Sequence, residues 1–246
     1  EFACGEGGPG FLPGSAWNEM RREALDRLLQ KRSEPAPLAT KEITLPEYAE
    51  HEVGMIPQLA ARFETAAQLP GAEYLAKLRY LILPIREADA VPQPLRCKTL
   101  LELPRAAFGT VEPDTMRRLA ALEGSDFAGV IANNLAQFGY ASPLPVFGGL
   151  GLNVTNPMSA AEYVCLGACG LLVQPETALT AMRAVAPRQK DGTPVPTAAL
   201  CYGHLPLMLT RACPLRNVRT SCAGCTHKGK LRDRKGRDFP VRCSAP

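Results

Sequence analysis

No stretch of the 246-residue chain approaches the roughly 18 uninterrupted apolar residues that a membrane-spanning helix requires, and no basic-then-apolar leader opens it. A spanning helix is excluded, and a cytoplasmic location without membrane attachment is the expectation. The sequence also lacks a P-loop, so no Lys-tipped phosphate cradle is present, and it lacks the G-x-S-x-G turn that exposes a serine nucleophile. No G-x-G-x-x-G follows the first strand-like run. Gly148-Gly149-Leu150-Gly151 is glycine-rich but leads into Asn153-Val154-Thr155 rather than a helix start, so a dinucleotide site is not expected there. Hydrophobic residues make up 46% and charged residues 21%, which excludes a mainly disordered, collagen-like or coiled-coil chain.

What is present is enough chain for one or two domains with a real core. The first residue is Glu1, and Phe2-Ala3-Cys4-Gly5 reads as the interior of a sequence, so a longer polypeptide with an upstream domain is expected. The net charge of +4 conceals an asymmetry. From His204 to Pro246 there are ten Lys and Arg against two Asp and Glu, leaving 18 against 22 in the remainder. The cysteines share the basic end: four of nine, Cys213, Cys222, Cys225 and Cys243, fall in the last 34 residues. In a reducing compartment such clustering points to metal before disulfide.

Three regions follow from composition. Residues 1–48 hold a Gly-rich lead-in, an amphipathic helix over 16–31 with Ser15 as its N-cap, and a Pro-rich linker; Met20, Ala24, Leu25, Leu28 and Leu29 mark the apolar face. In residues 49–210, seven short β-type runs alternate with helical runs: 58–63, 80–83, 99–103, 127–132, 145–147, 170–174 and 197–202. Capping boxes are expected at Thr65 to Gln68 and at Ser159 to Glu162. A recurrence every 20 to 30 residues or so is the beat of βα units on a parallel sheet. The fold class expected is α/β, a TIM-barrel-like repeat, incomplete or nearly closed, with a four-cysteine hairpin module over 211–246. Several runs end in polar clusters, among them Arg62-Phe63-Glu64, Glu102-Leu103-Pro104, Asn133-Asn134 and Gln174-Pro175-Glu176. In a parallel barrel these ends share one rim, where sites are built.

In the tail, eight residues separate Cys213 from Cys222, two separate Cys222 from Cys225, and seventeen separate Cys225 from Cys243. A Cys-x-x-Cys presents two thiolates from one tight turn, and two distant cysteines complete a four-thiolate site if the chain folds back. The segment 231–241, with Lys235-Gly236 near its turn, has the form of a β-hairpin that returns Cys243 toward Cys225. Spacing leaves a structural zinc and an iron–sulfur cluster both open. Cys4, Cys97, Cys165, Cys169 and Cys201 sit in or beside apolar runs and are expected to be small buried residues.

Tyr202-Gly203-His204-Leu205-Pro206-Leu207-Met208-Leu209-Thr210-Arg211-Ala212-Cys213-Pro214, with Cys222-Ala223-Gly224-Cys225 and the 231–241 segment, resembles the collagenase-like peptidase family U32, in particular its long bacterial members. Residues 150–156 with Gln174-Pro175-Glu176 look like that family's late barrel strands, and residues 15–25 resemble the segment before a second barrel half. The resemblance implies a barrel whose four C-terminal cysteines hold a 4Fe-4S cluster. It also implies one of two chemistries: collagenase-like proteolysis, or oxygen-independent hydroxylation of RNA or of a small aromatic molecule. The chain departs from the family's His-Gly pattern, because Gly203 precedes His204 and Leu205-Pro206-Leu207-Met208 follows; peptidase residues are therefore not carried over.

For hydrolysis, only Cys201 with His204 offers a nucleophile and base, and a zinc held by four cysteines leaves no open position for water. For a redox reaction beside the rim, the candidates are His204 as proton donor or acceptor, Glu176 as carboxylate and Asn153 as hydrogen-bond donor. The basic run 227–237 is a candidate grip for RNA phosphates, although no aromatic residues interleave for base stacking. A non-catalytic module stapled by zinc is the remaining reading. His51 has no evident partner and is read as surface.

Overall fold

The computed structural model describes residues 12–35, 56–140, 142–210, 212–217, 222, 225–226 and 228–243. The chain divides into two compact units, Glu1–Glu47 and Tyr48–Pro246. The Pro-rich segment from 36 on, His51 and Cys4 lie outside the described residues.

In the first unit, α1 runs Gly14–Ser33. It begins one residue before the expected cap, because Pro13, with φ fixed at −59°, holds the N-cap position and its carbonyl accepts from Ala16 N and Trp17 N. Lys31 and Arg32 in its last turn complement the helix dipole. None of its residues is buried.

The second unit is built on seven parallel strands in sequence order: β1 Leu59–Arg62, β2 Leu78–Pro84, β3 Thr99–Glu102, β4 Gly129–Ala132, β5 Val146–Gly148, β6 Ala168–Val173 and β7 Thr197–Ala199. All seven coincide with the expected runs. β7 stops short of Tyr202 because its partner β6 ends at Val173, which pairs with Ala199. The strands are near-continuous apolar runs, as expected where a parallel sheet is covered on both faces. The connections between them are short: α2 Ala72–Leu75, α3 Gln93–Arg96, α4 Val111–Ala120, α5 Pro157–Cys165 and α6 Leu179–Ala184, with 3-10 turns at 85–90, 135–139 and 150–152. Single turns in place of full helices in most of these connections are how seven units fit so few residues.

Successive neighbouring strands, all parallel, place every crossover on one side of the sheet. That convex side buries Leu83, Leu101 and Val130 against Leu119, Leu122, Ile85 and Val91, and farther along it Leu171 and Val173 against Val154, Ala160 and Val185. The opposite side is concave. Tyr80 on β2 meets Phe147 on β5 edge-on at 5.9 Å between ring centroids, although three strand spacings of about 4.8 Å would hold them about 14 Å apart on a flat sheet. The sheet therefore curls as a half-barrel. Glycine makes room for the Phe147 ring: an added Cβ would stand 2.8 Å from its Cε2 at Gly129 and 2.6 Å from its Cδ1 at Gly170.

Two local expectations are corrected. Ser159 does not cap α5: the helix starts at Pro157, and Asn156 Oδ1 accepts from Ser159 N at 2.9 Å, because Pro at the first helical position favours the earlier start. The box at Thr65 forms, with Gln68 Oε1 accepting from Glu64 N and Thr65 N, but it heads a single 3-10 turn. The expectation of buried cysteines also fails. Cys97, Cys165 and Cys201 are exposed and Cys169 is half-buried. Cys97 and Cys165 end α3 and α5 on turns facing outward, and Cys201 lies beyond the last paired residue of β7.

Candidate functional site

The C-terminal ends of β1, β3 and β4 bring together side chains far apart in sequence. Register places Arg62, Ile82, Leu100 and Glu102 on the concave face. Arg62 Nε reaches across β2 to Glu102 Oε2 at 2.7 Å, and its Nη1 donates to Glu64 Oε1 at 2.8 Å. Glu102 Oε1 accepts from Asn133 Nδ2 at 3.3 Å. Asn133, only 2% exposed, also donates to the Leu103 carbonyl at 3.0 Å and accepts from Gly151 N at 3.2 Å.

Behind it stands Gln137, 1% exposed. Its Oε1 accepts from Asn133 N at 2.6 Å and its Nε2 donates to the Pro104 carbonyl at 2.8 Å, tying the ends of β3 and β4 together. Every side-chain polar atom of this buried pair is used, which turns a costly burial into a rigid frame.

The electrostatics follow from this frame. Burial works against the charge of Arg62, but Glu102 and Glu64 overcome it and hold its pKa above the ordinary value. For Glu64, burial would raise the carboxyl; the Arg62 hydrogen bond and charge, helped by Arg242 and Arg86, win and hold it below the usual carboxylate range.

The glycine-rich stretch 148–151 has a packing role. A Cβ at Gly149 would stand 2.5 Å from Asn133 Oδ1, and one at Gly151 would collide with the Asn133 carbonyl. Beside it opens a cavity of about 310 Å³ lined by Arg105, Asn133, Asn134 and Gly151 on one side and by residues 206–209 on the other.

The three residues expected to act at the rim are placed as follows. His204 is exposed in a segment without regular structure and makes no hydrogen bond with any described residue, Cys201 included. Glu176 is exposed in the turn after β6 and does not cap α6, whose N-cap is Ala178. Asn153 is exposed and left-handed, φ 52°, ending the 150–152 turn. In that same β6 turn Gln174 Oε1 and Thr177 Oγ1 are shielded from solvent with no hydrogen-bond partner among the described residues. The structure brings together Arg62, Glu102, Asn133 and Gln137 instead. For Arg62, Glu102 and Asn133 the signal in the sequence is the polar cluster at each strand end, without any indication of which clusters meet; Gln137, four residues beyond Asn133, lies outside those clusters.

In the tail, the expected hairpin forms. β8 Lys228–Arg232 pairs antiparallel with β9 Asp238–Arg242. At the turn the Asp233 carboxylate accepts from Lys235 N and Arg237 N, both at 2.8 Å, and Gly236 adopts φ 77°. Lys230 and Arg232 both bind Asp238 and hold its carboxyl down at about 2.

Lys228 pairs with Arg242, so Cys243 lies one residue beyond the last pair, at the Cys225 end of the hairpin. The Cys222 carbonyl accepts from Cys225 N at 3.1 Å, closing the turn between them. A third segment joins: the Leu215 side chain fills the space over Gly229, where an added Cβ would strike it, and so brings the Cys213 turn to the hairpin. Cys222 is exposed and Cys213, Cys225 and Cys243 are half-buried. Among the described residues no group of three or more His, Cys, Asp or Glu side chains is close enough to hold a metal ion. Ala223, Gly224 and His227 lie outside the described residues.

No family model, no curated protein and no solved structure matches the chain.

Proposed function

We propose that the chain is a U32-type half-barrel protein in which Cys213, Cys222, Cys225 and Cys243 hold a 4Fe-4S cluster, and that it acts as an iron–sulfur enzyme of the oxygen-independent hydroxylating kind on RNA or a small aromatic substrate. The observation that supports the reading is the packing of Leu215 on Gly229, which sets the turn after Cys213 against the strand that follows Cys225 and pairs with the strand ending before Cys243, while among the described residues no three of these thiols stand close enough to share one metal ion. Four thiols in such a setting are a donor set of the right softness and number for a cluster. When bound, a cluster supplies one-electron chemistry.

The chain's own residues supply the rest. Glu102, Arg62 and Asn133 fix the rim against which a substrate is oriented. The charge of Arg242, one residue from Cys243, is felt by Glu64 at that rim. One face of the hairpin presents Lys228, Lys230, Arg232 and Arg242 against the single carboxylate of Asp238, which suits a phosphate backbone. The same four thiols would equally close a zinc ribbon, and metal identity separates the two. Proteolysis draws no support from the geometry, since Cys201 and His204 are exposed and unjoined.

The test is anaerobic purification followed by visible and EPR spectra, then incubation with RNA and with small phenols under strict exclusion of oxygen, with water as the oxygen source and an added soluble acceptor to take the two electrons released, read by mass spectrometry. A cluster spectrum with a product one oxygen heavier is the expected result. A colourless protein without such a product would overturn the proposal.

A further inference from the structure

We propose that the rim cavity between Arg105 and residues 206–209 binds a small organic anion, with a carboxylate or phosphate on the Arg105 guanidinium and a compact apolar body against Leu207, Met208 and Leu209. The first support is an arginine whose charge has no counter-ion among the described residues. The neighbouring rim arginines each have carboxylates, Arg62 on Glu64 and Glu102, Arg86 near Glu64 and Glu87. Arg105 is half-buried, yet its side chain makes no ion pair or hydrogen bond with any described residue. A guanidinium offers five donors in a fork that fits a carboxylate or phosphate and accepts nothing.

The second support is that no carboxylate lines the cavity to serve it and the two side-chain amide oxygens of the wall already accept bonds, Asn133 Oδ1 from Gly151 N and Asn134 Oδ1 from Gln137 N. The Asn134 amide, whose one bond within the wall is a long 3.4 Å contact to the Arg105 carbonyl, has a second N–H to offer. The ligand chemistry that completes this wall is anionic.

The third support is the opposite wall. Leu207, Met208 and Leu209 are 75%, 76% and 59% exposed, three consecutive large apolar side chains left to water beside the cavity. A contiguous apolar surface rimmed by polar groups marks a binding site. The volume of about 310 Å³ lies at the small end of ligand cavities, which favours a one-ring acid over a nucleotide.

The experiment is saturation-transfer NMR on the full chain with benzoate, phenyl phosphate and, as the uncharged control, benzyl alcohol. Saturable binding of at least one anion is expected, with benzyl alcohol weaker by at least about tenfold. Arg105→Gln should weaken the anion by at least about tenfold, and Met208→Glu, at a tolerant exposed position, should do the same by placing a like charge in the cavity. Benzoate against phenyl phosphate tells which headgroup the fork prefers, and either preference supports the proposal. The proposal is overturned if neither anion binds, if benzyl alcohol matches the anions, or if Met208→Glu binds as wild type does. No metal is needed for this binding, so its outcome is separate from that of the cysteine site.

Discussion

Asn133 and Asn134 are identical neighbours in sequence, and the structure predicts that replacing them has different costs. Asn133→Ala removes the donor to the Leu103 carbonyl and the acceptor for Gly151 N, both at buried or half-buried sites, while Glu102 keeps its bond to Arg62. Leaving a buried partner unsatisfied costs roughly 1–3 kcal/mol each, so about 3 kcal/mol is expected, with the Leu103 carbonyl the larger share. Asn134→Ala loses one cap bond, Gln137 N to Oδ1, and the long 3.4 Å contact from Nδ2 to the Arg105 carbonyl, for which about 1 kcal/mol together is expected. With a urea dependence of about 2 kcal/mol per molar, the midpoints should fall by about 1.5 M and about 0.5 M.

The assay is urea unfolding followed by circular dichroism at pH 7. Equal shifts for the two variants would refute the view that Asn133 frames the rim. Asn133→Asp sharpens the test. Its carboxylate faces Glu102 and the Leu103 carbonyl, so its folded pKa is raised above the unfolded value, and the variant should regain stability as pH falls through that raised pKa.

Gly151→Ala should destabilise by about 1–3 kcal/mol through overpacking against the Asn133 carbonyl, whereas Gly71→Ala, with open space around it, should be close to neutral in the same assay. The Asp238 carboxyl should titrate by NMR near 2. Because that folded value is depressed, its contribution to hairpin stability is present above the ordinary 3.8 and is lost as pH falls through about 2; a midpoint at 3.8 would contradict the Lys230 and Arg232 pairing. Gly229→Val should displace Leu215 and lower the metal content of the purified chain while leaving the Asn133-dependent stability of the barrel unchanged; full metal content would contradict the gathering of the cysteine segments.

The strands were legible because each is a short apolar run closed by breakers or polar residues, and a parallel sheet leaves no other use for such runs. The rim was legible as a set of polar strand ends. Which members meet was not, since Arg62 and Glu102 are 40 residues apart and their contact depends on the curl that also brings Tyr80 to Phe147. Gly148 to Gly151 illustrates the same limit. Its sequence argues against a dinucleotide loop without saying what the glycines are for, and two of them are required by the close approach of Asn133, a fact of packing.

His204, Glu176 and Asn153 stand out in the sequence for what their side chains can do, whereas burial and partners single out Asn133 and Gln137, amides with no chemistry of their own. The hairpin and the Cys222 turn were readable from spacing and turn residues. The contact of Leu215 with Gly229, between elements without a shared motif, was not.

The most direct test of the central claim is quantification of iron, acid-labile sulfide and zinc in the anaerobically purified chain, beside the Cys222→Ala, Cys225→Ala double variant. The account predicts about four iron and about four sulfide per wild-type chain, lost in the variant. One zinc per chain without sulfide would contradict it and leave a metal-stapled half-barrel.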